Sequence, residues 1–332
     1  MPDKSPSTAD VAKVQELAAA LVDNVSRVLV GKREAIEDTL VALLCGGHIL
    51  IEDVPGVGKT MLARSLARSL GPSFRRIQFT ADLLPSDITG VTVYDQRTQS
   101  FSFKPGPIFS QVVLADEINR GTPRTQAALL ECMEELQVTV DGVQHAIEQP
   151  FLVIATQNPV EFEGTFPLPE AQLDRFFARV SIGYPDPESE IEMLDRLKGE
   201  HPIERIEQVV STERLLEAQR IVREVRVSRA VREYIVEIVR KTREHAEALL
   251  GVSPRGSLAL YRATQSRAAL SGRAFAIPDD VKRMAVPVLA HRIVIKAQAG
   301  LRGATARKVV ADTLDSVPVD LGAGLDGAAA SG

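Results

Sequence analysis

The chain has 332 residues, 45% hydrophobic and 25% charged, a globular composition with room for a sizeable core and two domains. With 44 acidic against 39 basic residues the formal charge is −5, which speaks against nucleic acid as the main partner. Cys45 and Cys132 lack metal-type spacing and read as buried small residues of a reducing compartment. The polar start carries no signal peptide and no run is apolar enough to span a bilayer, so a cytoplasmic protein is expected.

Residues 1–10 and the Gly/Ala/Ser-rich end, 319–332, are expected to be disordered. From about 10 to 46 apolar residues recur at helical spacing, with an interruption at Val30-Gly31-Lys32. Five short apolar runs then predict buried strands, at 48–52, 75–80, 111–116, 151–156 and 178–183. Runs such as "VVLA" and "FLVIA" do not alternate, as in a parallel sheet covered on both faces. Helical stretches lie between them. One carries Leu62, Leu66 and Leu70 on a stripe and stops at Gly71; another is "TPRTQAALLECMEE". Two alternating insertions, 91–106 and 137–147, predict projecting hairpins, the second turning at Asp141-Gly142. Past Tyr184 the strands stop. The chain therefore reads as an α/β domain over 11–184, with a parallel five-stranded sheet between helices, and a smaller all-helical domain over 185–318.

The chemistry gathers at the strand ends. "IEDVPGVGKTML" follows an apolar strand and opens an amphipathic helix, the setting of a phosphate-binding loop. Across Pro55, Gly56, Val57, Gly58, Lys59 and Thr60, the glycines let backbone amides approach phosphate oxygens, helped by the helix N-terminus. Lys59 would neutralise the β- and γ-phosphates and Thr60 would ligate Mg²⁺. The pattern's first glycine is replaced by Asp53, expected to turn the chain with an ordinary or mildly left-handed backbone. "VVLADE" supplies Asp116 for the Mg²⁺ shell and Glu117 to polarise a water; alone, the pair is equally a solvated strand terminus. Asn158 is either a ligand to the γ-phosphate or a turn-former before Pro159. Arg175 is either a finger reaching a neighbouring subunit's nucleotide or a surface partner of Asp174. Arg255 stands in the first turn of a helix, an unfavourable place for a cation unless an anion faces it.

An ordered series of phrases over about residues 12–316 carries a family resemblance. "EDVPGVGKT", "DLLPSDITG", "GPIFSQVVLADEINRGTPRTQAALLECMEE", "ATQNPVEFEGTFPLPEAQLDRF" and "SPRGSLAL" resemble the AAA+ ATPases, and among them the MoxR family. The resemblance implies Lys59 and Thr60 in Walker A, Asp116 and Glu117 in Walker B, Asn158 as sensor 1, Arg175 as arginine finger and Arg255 as sensor 2. It implies that Val30 and Gly31 pack on adenine. The insertion at about 83–106 resembles a helix-2 insert and the 137–147 hairpin a pre-sensor-1 hairpin, as in the magnesium-chelatase and MCM-like relatives. The implied activity is ATP hydrolysis with Mg²⁺ in a ring homo-oligomer, usually a hexamer. Implied too is chaperone-like maturation of client proteins, often with a von Willebrand factor A partner and for metal or cofactor insertion. Two rival readings are a nucleotide-dependent switch with little turnover and a nucleic-acid motor. The motor would use the acid-free stretch from Val281 to Ala311, with Lys282, Arg283, Arg292, Lys296, Arg302, Arg307 and Lys308.

Overall fold

The computed structural model describes residues 6–71, 73–159, 164–196 and 202–319. These divide into two compact units, residues 17–217 and residues 6–16 with 218–319. The first holds most of α1 (Thr8–Ser26), α2 (Arg33–Leu44), β1 (Ile49–Glu52), α3 (Lys59–Leu70), β2 (Phe74–Gln78) and α4 (Pro85–Thr89). It continues through the hairpin β3 (Gly90–Asp95) and β4 (Ser100–Pro105), then β5 (Val112–Asp116) and α5 (Pro123–Glu135). The hairpin β6 (Gln137–Val140) and β7 (Val143–Ala146) precedes β8 (Leu152–Gln157), α6 (Glu170–Leu173), β9 (Ala178–Val180), α7 (Pro187–Arg196) and the start of α8 (Thr212–Glu224).

The five predicted strands form one parallel sheet in the order β2-β5-β8-β1-β9. β1, β5 and β8 are buried along nearly their whole length, which is why their sequences do not alternate. β2 departs from the expected buried strand. It is an edge strand whose Arg75, Arg76 and Gln78 are exposed. Leu62, Leu66 and Leu70 of α3 are buried, and Gly71 closes that helix at φ 77°. Leu129, Leu130 and Met133 of α5 join Leu50, Phe79, Val113, Val153 and Phe176 in one core. Both predicted hairpins are present. Asp141 and Gly142 turn the second at φ 50° and 80°, the left-handed pair that a two-residue turn demands. The ring of Phe103 stacks on His145 at 3.9 Å and so joins the two hairpins, while Tyr94 and Phe101 remain exposed.

The second unit contains α9 (Arg229–Glu244), α10 (Pro254–Leu270), α11 (Pro278–Leu289), α12 (Ala297–Leu301) and α13 (Ala306–Ser316). It is not purely helical: β10 (Ala248–Leu250) and β11 (Val294–Ile295) pair antiparallel. Ile235 and Ile238 of α9, Leu260 and Ala263 of α10, and Val281, Met284 and Val288 of α11 are buried at helical spacing. Asp280, also buried, takes a two-pronged bond from Arg273 at 2.8 and 2.6 Å and accepts the Ile277 amide at 2.9 Å. In the acid-free stretch, Arg292 is buried and Lys296 donates to the Ala246 carbonyl at 2.8 Å. Arg292 is thus held inside the unit, while Lys296 stays exposed.

Two boundaries differ from those expected from the sequence. The change of unit falls after residue 217, not near Tyr184, because the segment beyond α7 bonds back to the α/β unit. The Val209 and Val210 amides donate to the Ser69 carbonyl at 2.9 and 3.1 Å, and Asn24 donates to the Glu207 carbonyl at 2.9 Å. At the other end α1 starts at Thr8, inside the stretch expected to be disordered, since the Ser7 hydroxyl accepts the Asp10 amide at 3.1 Å. The rest of that stretch, 1–5, and nearly all of the expected tail, 320–332, lie outside the described residues. Cys132 is buried and donates to the Ala128 carbonyl. Burial first, and the Glu131 charge second, push its thiol up to about 12, while Cys45 is only half-buried.

His48, just ahead of β1, holds the sheet to α5. The Val153 amide donates to its Nδ1 at 3.0 Å, so the ring proton lies on Nε2, 3.1 Å from the Met133 carbonyl. A second proton has no place without breaking the Val153 bond, and burial lowers the ring's pKa from 6.5 to about 4. The unfolded chain therefore takes up a proton first as pH falls. The stabilisation from neutral His48 is complete above 6.5 and is lost progressively down to about 4, up to roughly 3 kcal/mol. An NMR titration should show the His48 ring still neutral at pH 5; a midpoint near 6.5 would contradict this assignment.

Candidate functional site

Parallel pairing brings the C-terminal ends of β1, β5 and β8 to one edge of the sheet, where a ligand crevice forms in open α/β sheets. A cleft of about 320 Å³ opens there. Pro55, Gly56, Gly58, Lys59 and Thr60 line it from the loop after β1, Asp116 and Glu117 from the end of β5, and Asn158 from the end of β8. Residues separated by about a hundred positions in sequence thus face one space.

The loop's geometry follows from its glycines. Gly56 and Gly58 have φ of 84° and 96°, and a Cβ at either would meet no protein atom within 4 Å. Conformation, not crowding, demands glycine at both. Gly58 is the N-cap of α3, so the helix begins at Lys59 with its first amides turned to the cleft. The Lys59 ammonium donates to the carbonyls of Asp53 at 2.8 Å and Gln157 at 3.4 Å, bridging β1 and β8. Asp53 is not among the residues with positive φ, so its backbone is ordinary, but it does more than turn the chain. Its carboxylate accepts the Val54, Ile182 and Gly183 amides and the Ser181 hydroxyl. Burial alone would raise this carboxyl's pKa; the bonds from Gly183, Val54, Ile182 and Ser181 outweigh it and hold the pKa below its ordinary value.

The acid pair is embedded in a polar network. Asp116 is 7% exposed; its Oδ1 accepts the Thr156 hydroxyl at 2.6 Å, and its Oδ2 accepts Arg76 Nη2 and Nε at 2.6 and 3.0 Å. The same Thr156 hydroxyl accepts the Glu117 amide at 2.9 Å. Glu117 itself adopts a left-handed backbone, φ 55°, at the exit from β5. Its carboxylate accepts Gln78 Nε2 at 2.9 Å and pairs with Arg120 at 3.1 Å. Neither acid is a merely solvated strand end.

The other candidates fall in different places. Asn158 is 4% exposed and lines the cleft beside the acids. Arg175 lies elsewhere: its guanidinium pairs with Glu134 of α5 at 3.3 Å, in a separate cleft of about 270 Å³ that Glu131, Glu135 and Gln172 also line. Val30 is buried and Gly31 has φ 70°, with no room for a side chain because the Ser189 hydroxyl would stand 2.2 Å from its Cβ. Arg255, in the first turn of α10, belongs to the helical unit.

Arg76, Gln78, Thr156 and the Asp53 carboxylate were not read from sequence. Arg76 and Gln78 carried a usable signal, two long polar side chains two residues apart on a strand and hence on one face. Thr156 carried none, standing inside a buried apolar run. The donor set suits Mg²⁺: a hydroxyl, Thr60, and a carboxylate, Asp116, are hard oxygen ligands facing the same cleft as the loop amides.

Comparison with known proteins bears on this arrangement. Residues 48–178 match the model of the ATPase family associated with various cellular activities (AAA), and residues 240–313 match an AAA lid domain. The uncharacterized protein YeaC of Bacillus subtilis is 51% identical over 303 residues, 91% of this chain and 95% of that protein. Chaperone MoxR1 of Mycobacterium tuberculosis is 42% identical over 297 residues, 87% of this chain and 78% of that one. Protein MoxR of Paracoccus denitrificans is 32% identical over 309 residues, 85% and 88%. A crystal structure of a Cytophaga hutchinsonii protein assigned as an ATPase superposes with a TM-score of 0.88 at 38% identity, covering 94% of this chain and 97% of that one.

The Thr156 hydroxyl both donates to Asp116 and accepts from Glu117, so Thr156→Val should cost about 1–3 kcal/mol in urea unfolding. Thr156→Ser, which keeps the hydroxyl, should lose less. Equal losses would mean that packing, not the hydroxyl, holds the acids.

Proposed function

Since the chain belongs to the MoxR family of AAA+ ATPases, we propose that it hydrolyses Mg²⁺-ATP in the cleft between β1, β5 and β8 and uses that cycle to remodel client proteins. The observation that carries the reading is the meeting of Lys59 and Thr60 with Asp116, Glu117 and Asn158 in one cleft. The amides from Gly56 to Thr60 hold the β-phosphate, and Val30 and Gly31 lie against adenine. Lys59 exchanges two neutral carbonyls for phosphate oxygens, a stronger, charge-assisted bond. Thr60 directly, and Asp116 through its hydration shell, would hold Mg²⁺, which would supply positive charge to offset that of the phosphates. Asn158 donates to the γ-phosphate and aligns the attacking water.

Glu117 polarises that water, for which its carboxylate has to leave Gln78 and Arg120. Arg175, standing in another cleft and paired with Glu134, stabilises transition-state charge on the nucleotide of the next subunit. That role requires a ring, taken to be a hexamer, with Arg255 of the helical unit acting as sensor of the γ-phosphate. Among the described residues no helix is long and apolar enough to cross a membrane. The clients are protein complexes awaiting maturation or insertion of a metal or cofactor, with a von Willebrand factor A protein as an accessory partner. The tie of Glu117 to Gln78 and Arg120 also favours a second reading, a nucleotide-dependent switch that turns over only when a partner frees the acid.

Glu117→Gln is expected to lower ATP turnover about 100-fold or more while nucleotide affinity stays within about threefold. Steady-state phosphate release and fluorescent-nucleotide titration measure the two. Turnover unchanged in the variant would overturn the role of Glu117. An assembled wild type without turnover would favour the switch. For the ring, wild type mixed with Arg175→Ala should lose activity faster than in proportion to the variant added, because each variant subunit disables a neighbour; a strictly proportional loss would place Arg175 outside the site.

A further inference from the structure

Asp53 occupies the position where the phosphate-loop pattern has its first glycine, and its carboxylate is fully engaged. β1 and β9 run side by side up to the pair Ile51 and Val180. Beyond it β1 pairs on only with β8, as far as Glu52 and Gln157, and no ladder pair with β1 continues past β9. Asp53 Oδ2 accepts Ile182 N at 2.8 Å, Gly183 N at 2.7 Å and Ser181 Oγ at 3.1 Å. Oδ1 accepts the amide of Val54 at 2.9 Å, and Asp53 is 8% exposed.

The stretch fixed by Asp53 also carries the segment between α1 and α2. The Tyr184 carbonyl accepts the Lys32 ammonium at 2.6 Å. Two residues on, Asp186 takes both the amide and the hydroxyl of Ser189 at 2.8 Å, and that hydroxyl stands against Gly31. Residues 181–189 therefore touch the phosphate loop at one end and Gly31-Lys32 at the other. The main-chain carbonyl of Asp53 is meanwhile the nearer acceptor of Lys59.

We propose that Asp53 is a positioning residue for nucleotide binding. Its carboxylate clamps the loop entrance to residues 181–183, and through residues 184–189 it fixes the spacing between the phosphate loop and the Val30-Gly31 segment. The inference rests on the nucleotide site proposed above. A glycine at 53 keeps the loop's amides and lysine but removes the clamp, leaving the Ile182 amide buried without its acceptor. Restoring the pattern's glycine should then harm binding, the reverse of what the loop motif alone suggests.

The test compares full-length wild type with Asp53→Gly, Asp53→Asn and Lys59→Ala. ATP kinetics and fluorescent-ATP titration are paired with hydrogen exchange at Ile182 and Gly183 in the nucleotide-free protein. Asp53→Gly is expected to raise KM and Kd about tenfold with kcat within about twofold, and to speed exchange at both amides. A purely structural role would lower the active fraction, and so kcat, at unchanged KM. Asp53→Asn keeps the shape but turns an amide group toward donors, and should shift KM in the same direction by a smaller factor; it decides the matter if Asp53→Gly does not fold. Wild-type KM and wild-type exchange in the Asp53 variants, with binding lost in Lys59→Ala, would overturn the clamp while leaving the nucleotide site standing. Wild-type binding in Lys59→Ala would instead overturn the nucleotide site, and the exchange rates alone would then decide the clamp.

Discussion

Everything at the cleft depends on the parallel pairing of β1 with β8 and of β8 with β5. Parallel strands share a direction, so their C-terminal ends lie on one edge, and every connection leaving that edge begins beside the others. The loop after β1, the acid pair after β5 and Asn158 after β8 are neighbours for that reason alone.

On that frame the functional groups are restrained by each other. Lys59 bridges the carbonyls of Asp53 and Gln157, Thr156 bridges Asp116 and Glu117, and Arg76 and Gln78 reach across from β2 to the two acids. Each of these bonds costs something to break when ligand arrives. In the proposed site Lys59 would trade neutral acceptors for anionic ones and gain by the exchange. Glu117 would trade a solvent-exposed cation and amide donor for a water, an exchange that costs little at so exposed a pair.

Much of this was legible in the sequence, for identifiable reasons. Non-alternating runs such as "VVLA" gave the parallel sheet because burial on both faces leaves no polar positions. "GVGKT" and "ADE" stood out because close backbone approach to an anion needs glycine and a hard cation needs carboxylate, and the fold brings both stretches to one cleft. What stayed hidden was pairing across the sheet. Nothing in "RRIQFT" says that Arg76 stands over Asp116, forty positions on, and Thr156 looks like any β-branched strand residue. Asp53 was visible as an odd residue, but its partners at 181–183 come together only once β9 lies against β1. That the compact α/β unit runs on past Tyr184 was hidden as well, because the segment at 207–210 attaches through its main chain to the Ser69 carbonyl and the Asn24 side chain, which leaves no mark on composition.

The most direct test of the account is a structure of the protein with Mg²⁺ and a non-hydrolysable ATP analogue. The β- and γ-phosphates are expected against the amides of Gly56 to Thr60. The Lys59 ammonium should have moved from the Asp53 and Gln157 carbonyls onto phosphate oxygens, with Asp53 still bonded to Ile182 and Gly183. A nucleotide bound away from the β1, β5 and β8 ends, or Lys59 still on its two carbonyls with the analogue in place, would contradict it.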